Sequence, residues 1–171
     1  GALYTPSMRD APFQDLQADT IGGVVDSLDA VVDWAKATGH RLGYFAALYR
    51  KVTVCVEAAI AAGEFADDER MERLDVLFAN RYLAALEQAC RGETPAASWR
   101  LAFVAAERWR PIALQHLLLG MNAHIALDLG IAAAATVPPD ELPALRGDFD
   151  LINDILASLT DGVQDELARV W

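Results

Sequence analysis

The clearest chemical signal in the sequence is a pair of residues one helical turn apart, His124 and Asp128, within its most apolar stretch. At i and i+4 on a helix both side chains lie on one face. A carboxylate so placed can orient an imidazole for proton transfer, or the two can hold one metal ion with ligands from neighbouring helices. The same spacing also serves as a plain stabilising contact. What weighs toward a working site is the setting, because ionisable groups in apolar surroundings acquire shifted pKa values and such groups cluster at sites. Asp75 is the second signal: Met71, Phe78 and Tyr82 are its i−4, i+3 and i+7 neighbours, so its carboxylate falls on an apolar stripe and needs a partner there. The expected catalytic set is therefore His124, Asp128 and Asp75. It needs no cofactor if the chemistry is acid/base, and is the ligand set if one divalent metal ion is bound. Zinc, manganese and iron suit these donors equally.

A second group of polar and aromatic residues is expected to contact a ligand. Asn80 sits among Val76, Leu77, Leu83 and Ala84, where the alternative is a hydrogen bond to backbone. Tyr82 shares the stripe of Asp75. His116 lies two turns before His124 and points about 80° away from it. Asn122 shares the opposite side of that helix with Gln115, where cross-helix hydrogen bonding is the simpler role. Trp99 and Trp109 read as core or groove-edge aromatics, and Asn153 as part of an interior polar network beside Phe149 and Leu156. Gly120 removes a side chain from the His124 face, which suggests close helix packing or ligand approach. Asp26, Asp29 and Asp33 imitate a metal-binding aspartate stripe but lie opposite the apolar face of their helix and read as solvated. No Gly-rich phosphate loop, His-Glu-x-x-His, Glu-x-x-His pair or Gly-x-Ser-x-Gly elbow occurs.

The elements that must position these residues are helical throughout. Periodicity predicts helices over about 20–38, 42–62, 67–90, 94–109, 111–135 and 148–170, and no segment alternates like a strand. Gly39, Gly63 and Gly92 follow three helix ends, Asp67, Asp68 and Glu69 favour one helix start, and Pro138, Pro139 and Pro143 break the chain. Ile152, Ile155, Leu159, Val163, Leu167 and Val170 continue the last apolar stripe, with Gly162 a weak point in it. The expected fold is all-α, a single up-and-down-like bundle of about six helices with one buried central helix, residues 19–171, preceded by an extended arm over residues 1–18. Residues 112–137 are apolar enough to suggest a membrane span, but His116, Asn122, His124 and Asp128 interrupt them, and a mid-span Asp alone costs about 3 kcal/mol. A buried central helix fits that segment better.

Composition narrows the partners. A chain of 171 residues buries roughly 70% of its unfolded surface and needs no staple. Fourteen basic against twenty-five acidic side chains give a net charge of −11, which argues against a nucleic acid or an anionic membrane. The expected partner is a small molecule; the oligomeric state is left open, a homodimer included. Cys55 and Cys90 belong to no cysteine motif and read as free thiols. With no basic and apolar leader at the N-terminus, the expected location is cytoplasmic.

Four segments resemble a bacterial family of unknown function, DUF5995. They are Arg73-Leu-Asp-Val-Leu-Phe-Ala-Asn80-Arg-Tyr82, Ser98-Trp99-Arg-Leu-Ala-Phe103, Gln115-His116-Leu-Leu-Leu-Gly-Met-Asn122-Ala-His124-Ile-Ala-Leu-Asp128-Leu and Ile152-Asn153-Asp154-Ile-Leu. The Met-Asn-Ala-His block is the most distinctive. The resemblance covers most of residues 40–171 and implies that Asp75, Asn80, Asn122, His124 and Asp128 belong to one constellation. It brings no activity with it, and it implies that this chain is short at its C-terminus, since family sequences continue past the position of Trp171. A looser, fold-level similarity is to the helical zinc phospholipase C and P1 nuclease group, which also uses a His-x-x-x-Asp helix pair. Three histidines, His40, His116 and His124, are too few for a trinuclear zinc site, so at most one metal ion is served. The leading expectation is an enzyme acting on a small, largely apolar molecule by acid/base chemistry. The alternatives are a metal-dependent hydrolase or lyase using the same residues, and a non-catalytic helical binding or scaffold module.

Overall fold

Helix-start and helix-stop chemistry explains most of the boundaries in the computed structural model, which describes residues 6–108 and 111–168, with side chains to residue 159. The first long helix, α1 (Ile21–Thr38), begins where the Thr20 hydroxyl accepts from the Gly23 amide, and it ends at Gly39, whose left-handed φ of 67° closes the last turn. Next come α2 (Gly43–Ala61), α3 (Asp68–Cys90) and α4 (Ala97–Ala106). Asp67 caps α3 by accepting from the Arg70 amide. A continuous rod then follows, made of α5 (Ala113–Ala123), one π-helical turn (His124–Asp128) and α6 (Leu129–Thr136). Past Pro138 and Pro139, a short 3-10 turn (Leu142–Leu145) leads into α7 (Arg146–Ala168). There are no strands among the described residues, and the fold is all-α. Trp109, Gly162, Val163, Leu167 and Val170 lie outside the described side chains.

The buried helix at the centre is α3. Met71, Leu74, Val76, Ala79, Tyr82, Leu83 and Leu86 bury nearly all round it, and α1, α2, α4 and α6 pack against it. The segment expected at the centre, residues 112–137, instead lies at the outside of the bundle. One face is buried through His116, Leu117, Gly120 and Ala123, while Leu114, Leu118, Ile125 and Ile131 are exposed. Its length and composition would suffice to cross a membrane, with a mean hydropathy of 1.5 over a window of which 33% is buried. Absence of charge does not fix burial: this helix has one charged residue, Asp128, and still turns an apolar face outward. The helix also starts later than Pro111 suggests. Gln115 accepts from the Ile112 amide at 3.0 Å and so sets the first turn at Ala113.

The N-terminal arm packs onto the bundle. Met8, Phe13 and Leu16 are buried, and Met8–Asp10 form one 3-10 turn. Three acceptors hold the arm's amides: Glu107 for Met8, Glu87 for Leu16 and Asn80 for Ala18. Asp29, read as solvated, pairs with Arg50 and so ties α1 to α2. Asp148, at the start of α7, accepts from the Ala66 amide at 2.9 Å and from Arg70 at 2.8 Å, joining α7 to the head of α3.

At Gly120 two helices meet closely. A Cβ there would lie 2.5 Å from the ring of Phe45 on α2, whereas one at Gly130 would meet nothing within 4 Å. Gly120→Ala is expected to destabilise the protein by about 1–3 kcal/mol through overpacking. Gly130→Ala is expected to stabilise it by about 0.5–1 kcal/mol through helix propensity. Urea midpoints of the two variants check the pair, and equal shifts would refute the close packing.

Candidate functional site

The π turn decides which side chains reach the interior. Along an unbroken α-helix, residues four apart drift about 40° per step; Gly120, His124, Asp128 and Ala132 would spread over a third of the circumference. One wider turn at residues 124–128 takes back that drift, and all four are buried on the same side. Turns of this kind recur at functional sites.

Asp128 is fully buried and heavily bonded. Arg81 of α3 donates Nε–H to Oδ1 at 2.8 Å, and Trp99 of α4 donates Nε1–H to Oδ2 at 2.7 Å. His124 Nδ1 lies 3.4 Å from the same Oδ2. Burial pushes this carboxyl's pKa up, but the hydrogen bonds from His124, Trp99 and Arg81 outweigh it and hold Asp128 below its ordinary value. An ionised carboxylate can only accept, so Nδ1 carries the proton and Nε2 presents a lone pair. Burial lowers the His124 pKa more than Asp128 raises it, which keeps the ring neutral. Phe78 stacks on the imidazole with centroids 3.5 Å apart and planes 7° from parallel, and Tyr49 meets it edge-on at 4.5 Å.

A cavity of about 170 Å³ opens beside this ring between α2, α3, the π turn and α7. Its walls are mostly Phe45, Tyr49, Val56, Leu74, Phe78 and Met121, with Phe149 and Ile152 from α7. An apolar cavity of about 150 Å³ accommodates benzene, so this volume suits a ring-sized molecule. Three lining residues contribute buried polar atoms with no hydrogen-bond partner: His124 Nε2, Asp75 Oδ2 and the Tyr49 hydroxyl. Burial without a partner raises the Asp75 pKa from 3.8 to about 7. Tyr49 is pushed well up by burial and by the nearby carboxylates of Asp75 and Asp128.

The structure thus brings His124 and Asp75 to one cavity, with Asp128 behind the histidine. Asn153 stands exposed on the cavity lining from α7. The other expected contacts fall elsewhere. Asn80 spends its side chain on the arm, accepting from the Ala18 amide at 2.9 Å and donating to the Ala18 carbonyl at 2.8 Å. Asn122 is exposed. Trp99 serves Asp128 rather than the cavity. Tyr82 is buried with its hydroxyl unpartnered, and it borders, with His116 and Gly120, a separate void of about 20 Å³. His116 stacks on Tyr44 at 5.9 Å, and burial lowers its pKa more than a backbone hydrogen bond at Pro111 raises it. The donors do not gather for a metal ion either: no group of three His, Cys, Asp or Glu among the described residues is placed to hold one. Both Asp128 oxygens already serve Arg81 and Trp99. Sequence reasoning missed Arg81, Tyr49 and Phe78 as members of the site. Arg81 is adjacent to Asn80 in a singled-out segment, but a helical pattern does not say which acid a half-exposed arginine reaches.

Asp75 makes stability depend on pH with a definite sign. Between pH 3.8 and about 7 the folded chain keeps a proton on Asp75 that the unfolded chain has lost. Its contribution is therefore fully present below pH 3.8 and lost as pH rises through about 7. The loss is about 4 kcal/mol, at about 1.4 kcal/mol for each of roughly three pH units. Asp75→Asn is expected to be the more stable protein at pH 8, with the difference gone by pH 4. Urea unfolding of both proteins across that range checks it, and a variant weaker at every pH would refute an unpartnered carboxyl.

No curated protein and no solved structure matches the chain significantly. A family model does match, over residues 21–171, and its description is a family of unknown function. That span takes in every helix and the whole of the cavity, so the chain belongs to the DUF5995 family.

Proposed function

We propose that this chain is an enzyme that encloses a small, largely apolar molecule in the cavity and moves a proton at His124 Nε2. Asp128 fixes the ring and Asp75 is the second acid–base group. One observation carries the reading: a buried histidine on the wall of an apolar cavity leaves Nε2 without a hydrogen-bond partner, while its other nitrogen lies beside a carboxylate that two further donors lock in place. A site that only had to bind an apolar body would not need this arrangement, because a buried carboxylate is costly unless several groups pay for it. An Asp75 that titrates at about 7 is matched to proton transfer near neutrality.

The test is turnover of a panel of ring-sized esters, ketones and alcohols, followed by kinetics of variants on whichever substrate responds. His124→Gln is expected to lower kcat at least about a hundredfold with KM little changed. Asp128→Asn keeps the shape but lets the ring reorient, and is expected to lose at least about tenfold. Unchanged kcat in His124→Gln, with the fold intact by circular dichroism, removes His124 from the mechanism and returns the residues to a buried structural network.

A further inference from the structure

We infer that the molecule taken by the cavity is a small apolar amine, whose ammonium group pairs with Asp75 among the aromatic rings of Phe45, Tyr49 and Phe78. This rests on the reading of the cavity as the working site and adds the chemical class of its ligand. Four observations lead to it. Asp75 is 4% exposed, lines the cavity, and leaves Oδ2 without a hydrogen bond. The other buried carboxylates among the described residues each have a cation: Asp128 has Arg81, Asp148 has Arg70 and Glu87 has Arg91. No Lys or Arg lines this cavity among the described residues, so none of them supplies a cation to Asp75 there.

The walls favour a cation as well. Phe45, Tyr49, Phe78 and Phe149 are four aromatic rings on one small cavity, and ring faces attract an ammonium group, the more so once it is desolvated. Among the other polar atoms on the lining residues, His124 Nε2 and the Tyr49 hydroxyl oxygen can both accept from an N–H group. A carboxylic acid or phosphate would instead meet an acidic residue, with no Lys or Arg among the described lining residues to answer it. The chain's net charge of −11 concentrates cations at its surface.

Binding of an ammonium requires Asp75 to give up its proton. The other titratable groups on the described lining are Tyr49 from α2 and His124 from the π turn, beside the uncharged Asn153 from α7. Tyr49 stays protonated and His124 neutral at and above neutrality. Amine affinity is therefore expected to rise between pH 6 and 8, whereas that of a neutral ligand of the same shape stays flat.

The experiment is calorimetric titration of the whole chain with benzylamine, benzyl alcohol and benzoate at pH 6 and pH 8, repeated on Asp75→Asn. At pH 8 benzylamine is expected to bind at least tenfold more tightly than benzyl alcohol, and benzoate not at all. Asp75→Asn is expected to bind the alcohol as before and to lose the preference for the amine. Equal affinity for amine and alcohol overturns the amine inference while leaving the cavity as a binding site. Tighter binding of benzoate also overturns it. Binding of none of the three overturns the cavity reading along with it.

Discussion

A buried negative charge at Asp128 sets the terms for the rest of the molecule. Taken from water alone, that carboxylate would be prohibitively costly. It is tolerated because Arg81 from α3 and Trp99 from α4 reach it from two directions, with His124 one turn away. Removing any one donor would leave a charge short of partners, a change that costs several kcal/mol in protein interiors. Three segments are thereby fixed to a common point, and the orientation of the His124 ring is a by-product of that fixation. The π turn belongs to the same constraint, since without it Asp128 would rotate away from the donors that make its burial tolerable.

The helical architecture was legible because local signals agreed. Thr20 and Asp67 cap as their types suggest, Gly39 and Gly63 take positive φ just past two helix ends, and Asp148 stands in the first turn of α7. The misplacement of the central helix has a physical cause. Hydropathy measures what a helix could bury, whereas burial depends on how many neighbours surround it. α3 carries several charged residues, yet it has neighbours on nearly every side; residues 112–137 are almost free of charge and have neighbours on one side.

For the site, spacing along one helix was readable and contacts between helices were not. The pairing of His124 with Asp128 is a property of one segment, as is the placement of Asp75 on an apolar stripe. Arg81 reaching Asp128 over 47 residues, and Tyr49 approaching His124 from α2, depend on how separate helices dock. Asn80 had two roles open to it in the sequence, a ligand contact or a hydrogen bond to backbone, and its amide is engaged in the second, with Ala18, 62 residues earlier. The π turn leaves no mark in the sequence, because an inserted residue in a helix reads as one more apolar position.

The arm has a consequence for the order of folding. Its anchors are distant in sequence, 99 residues for Met8 and Glu107 and 71 for Leu16 and Glu87. Chain closures of that span are slow to form and gain nothing until both ends are in place. The helices that supply Asn80, Glu87 and Glu107 must exist first, so the arm docks last. Until it does, a carboxylate and an amide on α3 lack their backbone partners. The finished helix is thus held by a length of chain that plays no part in nucleating it, and unfolding from that end would expose Asn80 and Glu87 together with the arm's own buried Met8, Phe13 and Leu16.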